Sequence, residues 1–142
     1  VPNRRNVREE SVLRGRDLFR QINCIGCHTI DQTTSNSDLT PLLENVTIRP
    51  YSDFLLHDMG EDLADNRPDF VANGQEWRTQ PLWGIGLISS VNNHTFLLHD
   101  GRARNIEEAI LWHSGEAQNS KDAFMNLSAD ERQQVLDFVN SL

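Results

Sequence analysis

The clearest chemistry in the chain lies in one short string, Cys24-Ile25-Gly26-Cys27-His28. Two thiols two residues apart, followed at once by an imidazole, form the C-x-x-C-H pattern by which haem is attached covalently. The spacing suits the reaction. Each thiol adds to one vinyl group of the porphyrin to give a thioether, and the adjacent His28 reaches the iron from the proximal side, as His does in many haem proteins. Other uses of these residues find less support. A thioredoxin-like dithiol needs a βαβ pattern around it, and none is evident. Half of a zinc site needs a second cysteine pair, whereas Cys24 and Cys27 are the chain's two cysteines. A disulfide between them closes a very small loop and restrains little of the unfolded chain.

A haem held by His28 needs its second axial position explained. The residues able to fill it are Met59, Met125, His57, His94, His99 and His113, since haem proteins use Met or His there. Each also has a plainer use: a lone Met fills core, and a lone His is a hydrogen-bonded structural residue. Met125 precedes the last helix, but Met125-Asn126-Leu127-Ser128 leaves almost no loop before that helix begins. Met59 sits in the turn-like string His57-Asp58-Met59-Gly60. From pattern alone, Met59 and His113 are close to equal.

The elements that must position these groups are partly legible. Val12, Gly15, Phe19 and Ile22 follow i, i+3, i+7, i+10, one face of a helix just ahead of the motif. Gly15 on that face permits a close helix approach, although glycine inside a helix costs about 1 kcal/mol relative to alanine. Near the other end, Ser128 and Glu131 read as an S-x-x-E capping box, and Val135, Leu136, Val139 and Leu142 run down one side of the helix that follows. Two amphipathic terminal helices can close a core around a cofactor. A third helix is signalled at Asn105, with Glu108 three residues on and Glu107 and Glu108 complementing its dipole. Ile106, Ala109, Ile110 and His113 share its apolar stripe, which places His113 toward the pocket. The stretch from Gln32 to Asp38 reads as a polar surface loop, Thr47 to Pro50 as a short extended piece, and Asp58 to Asn73 as acidic and aperiodic. Gly84-Ile85-Gly86 and Asn92-Asn93 are breakers. The expected architecture is a single all-α, cytochrome c-like domain over 1–142, with one covalent haem and long loops.

Composition bounds the partners. The 142 residues, 37% hydrophobic and 24% charged, suit a globular domain with a real core. A formal net charge of -8 argues against nucleic acid or an anionic membrane. No apolar run is long enough to span a bilayer. The chain opens at Val1 rather than Met, which leaves open a removed export signal or a piece of a longer protein.

Four strings carry a family likeness: YSDFLLHDMG at 51–60, EWRTQPLWG at 76–84, HDGRAR at 99–104 and EEAILWHSGEA at 107–117. On these the chain resembles the di-haem oxidoreductase family, peroxidase-like and also labelled thiol oxidoreductase-like. That family is similar in turn to the bacterial di-haem cytochrome c peroxidases and to the di-haem enzyme that matures tryptophan tryptophylquinone. The likeness covers nearly the whole chain and is to the C-terminal haem domain, which in the peroxidases holds the electron-transferring haem. In those relatives the distal ligand lies on the helix after a His-x-Gly motif. Counting from His99-Asp100-Gly101, the ligand position falls on His113, where the peroxidases carry Met and the maturation enzyme Tyr, while Met59 falls on a position that is not a ligand. The resemblance therefore implies a bis-histidine haem c, with iron between His28 and His113.

It implies further roles. His57 and His99 hold pocket loops or haem-edge groups, or simply cap loops. Arg78, Arg102 and Arg104 are candidates for haem propionates, which suit guanidinium forks, and Trp77, Trp83 and Trp112 pack on the porphyrin or fill core. One departure matters: the family usually has two attachment motifs and this chain has one. A single six-coordinate haem has no open iron site, so the expectation is electron transfer rather than peroxidase turnover, with a redox partner protein or a second haem domain as partner. An oxidoreductase acting at an open iron is the alternative. Because covalent haem attachment takes place outside the bacterial inner membrane, the expected location is the periplasm.

Overall fold

A computed structural model describes residues 3–36 and 40–142. Helix α1 spans Glu10–Gln21 and helix α5 spans Ala129–Ser141. They pack against one another and enclose most of the core. Helix α5 starts on the capping box read from the sequence. The Ser128 hydroxyl accepts from the Glu131 N–H at 3.3 Å, and a Glu131 carboxylate oxygen accepts from the Ser128 N–H at 3.0 Å. Its buried stripe is Val135, Phe138, Val139 and Leu142, spaced i, i+3, i+4, i+7. Phe138, fully buried, takes the central place that the sequence reading gave to Leu136, which is only partly buried.

From α1 and its C-cap come Val12, Leu18, Phe19 and Ile22, all buried. Phe138 meets Phe19 edge-on at 5.3 Å and Tyr51 edge-on at 5.9 Å, the favoured arrangement for aromatic pairs. Phe124 completes the cluster. Burying each such side chain is worth about 1.5–3 kcal/mol. At Gly15 the two helices approach closely. A Cβ there would lie 1.8 Å from the backbone oxygen of Gln134, so only glycine lets the backbones meet.

Helix α3 covers Ile106–Trp112, with the Asn105 side chain accepting from the Glu108 N–H at 2.8 Å as its cap. Two helices went unread in the sequence: α2, Ile88–Asn92, ending at a left-handed Asn93, and α4, Gln118–Met125, whose Phe124 is fully buried.

The expectation of an all-α, cytochrome c-like fold is corrected by the middle of the chain. Strands β1 (Gln32–Thr33) and β2 (Thr47–Ile48) pair antiparallel, with Gln32 opposite Ile48. Strands β3 (Leu56–Asp58) and β4 (Glu76–Arg78) form a second antiparallel pair, with His57 opposite Trp77. The described residues thus form five α-helices and two small sheets, a mixed α/β arrangement. The physical reason is backbone hydrogen bonding: long connections must pair their N–H and C=O groups somewhere, and here they pair with one another. Gln32 and Thr33, read as loop, are therefore strand, whereas the Thr47–Pro50 piece is extended as expected. Ser37 and Asp38 of that loop reading lie outside the described residues.

Candidate functional site

The site is built on turns that α1 and α3 launch. Helix α1 stops at Ile22, Asn23 turns left-handed (φ 61°), and a single 3-10 turn over Cys24–Gly26 carries the first cysteine. Asn tolerates that conformation better than most residues. The His28 N–H then donates to the Cys24 carbonyl at 3.0 Å. The segment after Pro50 wraps around this turn: Ser52 N–H donates to Thr29 O and Asp53 N–H to Cys27 O, each at 2.9 Å. Ser52 itself is fully buried, its hydroxyl donating to Thr79 O at 2.8 Å and accepting from Phe54 N–H at 2.9 Å.

His28 Nδ1 lies 2.9 Å from the Tyr51 carbonyl. A carbonyl can only accept, so Nδ1 carries the proton and Nε2 is the bare, ligating nitrogen. Burial pushes the His28 ring down to about 4, which keeps it neutral, as a metal ligand must be.

His113 is built the same way from the other side. The sequence reading put it on the helix, but α3 ends at Trp112, and His113 is the extended residue after it (φ -62°, ψ 126°). Its Nδ1 lies 2.6 Å from the Ala109 carbonyl, so again Nε2 is the bare nitrogen. Burial lowers its pKa too, in spite of that backbone hydrogen bond. The two ring centres lie 6.5 Å apart, with the ring planes tilted at 46°. Imidazoles that bind one metal from opposite sides, each through a nitrogen at about 2 Å, have centres roughly 6 Å apart. The pair therefore fits a haem iron.

The thiols do not have the setting of a reactive dithiol. Neither cysteine is in a disulfide. Burial pushes the Cys24 thiol up to about 12, and burial with the Asp53 and Glu116 carboxylates raises that of Cys27. Reactive dithiols have lowered values and an electropositive setting; these have the reverse.

Among the other candidate ligands, His57 is fully engaged. Its Nε2 lies 2.8 Å from an Asp53 carboxylate oxygen and its Nδ1 2.8 Å from one of Glu116. Burial opposes the charged ring, but the hydrogen bonds to Glu116 and Asp53 outweigh it and raise the pKa. Cys27, Asp53 and His57 bring their ligand atoms within 4.8 Å of one another, yet carboxylates already occupy both ring nitrogens. His94 is exposed and stacks on Phe96; His99 is exposed and stacks on Trp77 at 3.5 Å. Met125 ends α4 and is 54% exposed. The main chain of Met59 is held at both ends, its N–H donating to Gln75 O and its carbonyl accepting from the Ser114 hydroxyl.

The arginines separate in the same way. Arg102 is bound to Asp100 at 2.6 Å and lies 4.8 Å over the Trp112 ring, and Arg104 is paired with Glu108. Arg78 is exposed on β4. Trp83 lines a cavity of about 280 Å³ together with Tyr51, Arg49 and Leu142. The sequence reading missed Tyr51, Asp53 and Glu116. Their signal was the clustering of polar residues inside the strings at 51–60 and 107–117.

No helix of the described residues is long and apolar enough to cross a membrane. No curated protein and no solved structure shows significant similarity to the chain. A family model does match, described as "Di-haem oxidoreductase, putative peroxidase", and it covers residues 1–142. The likeness carried by the four strings extends over the full length, and membership of such a family implies haem binding. The chain belongs to the di-haem oxidoreductase family.

Proposed function

We propose that this chain is a c-type haem electron-transfer module of that family. Cys24 and Cys27 anchor the porphyrin as thioethers, and His28 and His113 hold the iron from its two sides. The observation that carries the reading is the pair of imidazoles 6.5 Å apart, each with Nδ1 tied to a main-chain carbonyl and Nε2 free. When bound, haem supplies a one-electron couple at its iron. The chain's own residues do the rest. Tyr51 and Ala109 fix the tautomer and direction of each ligand. Phe19, whose ring centre is 6.3 Å from that of His28, supplies an apolar wall. Arg78 is offered as the propionate partner, because Arg102 and Arg104 are already paired with acids. Trp83 and His99 are offered as groups at the haem edge. Two imidazoles set a lower potential than a His/Met pair. The partner is a redox protein or a second haem domain, and the compartment is the periplasm, where covalent attachment takes place.

The family description favours one other reading, a peroxidase or related oxidoreductase that works at an open iron position, with this chain as one half of a di-haem enzyme. Steady-state assays of the holoprotein with hydrogen peroxide and a small electron donor separate the two. The electron-transfer reading expects fast one-electron exchange with small redox mediators and peroxide turnover no faster than in a His113-saturated control with added imidazole. Rapid turnover abolished by imidazole contradicts it.

A further inference from the structure

We infer that the Asp53–His57–Glu116 bridge is the latch that keeps His113 in its distal position, with His57 and Glu116 as positioning residues for iron ligation. The inference rests on the bis-histidine reading.

The turn immediately after His113 is stitched to β3 by several contacts. The Ser114 hydroxyl donates to the Met59 carbonyl. Glu116 accepts at one carboxylate oxygen from the Asp58 N–H at 3.1 Å and at the other from His57 Nδ1 at 2.8 Å. Gly115 has φ 55°, and a Cβ there would stand 2.2 Å from the Asp58 carbonyl, so the two backbones touch. The other nitrogen of His57 holds Asp53 at 2.8 Å, and the Asp53 N–H holds the Cys27 carbonyl. Two residues before Asp53, the Tyr51 carbonyl holds His28.

His57 therefore touches both halves of the site at once. On one side is the segment that wraps the attachment motif; on the other is the turn that carries His113. Neither His57 nor Glu116 reaches the space between the two imidazoles as a ligand, because both ring nitrogens of one and both carboxylate oxygens of the other are engaged. Their effect on the iron acts through position. His113 is the extended residue just past α3, held to the helix by its N–H to Ile110 O at 3.1 Å and its Nδ1 beside Ala109 O; the stitched turn holds it from the C-terminal side.

A distal ligand that must step aside before another can bind lowers the apparent affinity of the newcomer by the fraction of time the position is open. Cyanide binding to the ferric holoprotein therefore reads the latch. Glu116→Ala removes both bonds at a half-exposed side chain and is expected to tighten cyanide binding at least tenfold. Glu116→Gln keeps one acceptor oxygen and is expected to fall between Glu116→Ala and the parent. His57→Gln is expected to behave like Glu116→Ala. His113→Ala sets the limit for an open position. Unchanged cyanide affinity in Glu116→Ala and His57→Gln, alongside a large increase in His113→Ala, overturns the latch and leaves the ligand pair standing. Unchanged affinity in His113→Ala as well overturns the bis-histidine reading itself.

Discussion

The two halves of this protein are held by different forces. The α1–α5 pair is an apolar contact of Val12, Leu18, Phe19, Val135 and Phe138, with Phe124 of α4 packed into the same cluster, and it is closed where Gly15 lets one backbone touch the other. The site half, from Cys24 round to Ala117, consists mainly of turns, two- and three-residue strands and side-chain bridges, with the short helices α2 and α3 among them. Its order comes from directed hydrogen bonds: Tyr51 to His28, Ser52 to Thr79, His57 to Asp53 and Glu116. Burial is non-directional and strong in sum. Hydrogen bonds are worth little net but fix angles. The helical half thus supplies stability, and the turn-built half supplies the geometry that a metal ligand needs.

The largest expected effect breaks the helical half. Phe138→Ala removes a fully buried ring that touches Phe19 and Tyr51, and the loss should be about 3–5 kcal/mol, read by denaturant unfolding of the apoprotein. A loss near 1 kcal/mol would show that the crossing is not the main store of stability. Gly15→Ala comes next. Its methyl collides with the Gln134 carbonyl, and prising the helices apart should cost about 3 kcal/mol, far beyond the slight gain that alanine brings to an ordinary helix position.

Ser52→Ala sharpens the contrast from the other side. It leaves the buried Thr79 carbonyl and the Phe54 N–H without their partner, at a cost of about 1–3 kcal/mol. Hydrogen exchange should quicken at residues 52–55 and 79 while the α1 and α5 amides keep their protection; uniform loosening would contradict a two-part molecule. Ser128→Ala should cost about 1 kcal/mol through the lost cap. The same box has a pH signature. The Ser128 N–H and hydroxyl hold the Glu131 carboxyl below its ordinary value of 4.5, so its folded pKa is depressed. The contribution is present above pH 4.5 and is lost as pH falls through the lowered value. A pH series of melting temperatures should show that acid loss shrink in Ser128→Ala.

Legibility followed the same division. The Ser128–Glu131 box and the Asn105 cap are local signals, and both stand where the spacing put them. His113 was reached by counting from His99-Asp100-Gly101, and its ring centre lies 6.5 Å from that of His28. Apart from the extended piece at Thr47, the strands were unreadable because two or three residues are too few for a period-2 pattern to register. Phe138 was passed over for Leu136 because both fit an apolar face, and packing against Phe19 and Tyr51 decides between them. The His57–Glu116 contact joins residues 59 positions apart, and nothing in either local string announces it.

The central claim is that one haem is held between His28 and His113. The most direct test is the absorption and EPR spectrum of the oxidised and reduced holoprotein. The account predicts a low-spin ferric iron with bis-imidazole signals and no far-red band of methionine–iron ligation. That far-red band would move the ligand to Met59 or Met125, high-spin iron would open the distal position, and either result would contradict the pairing described here.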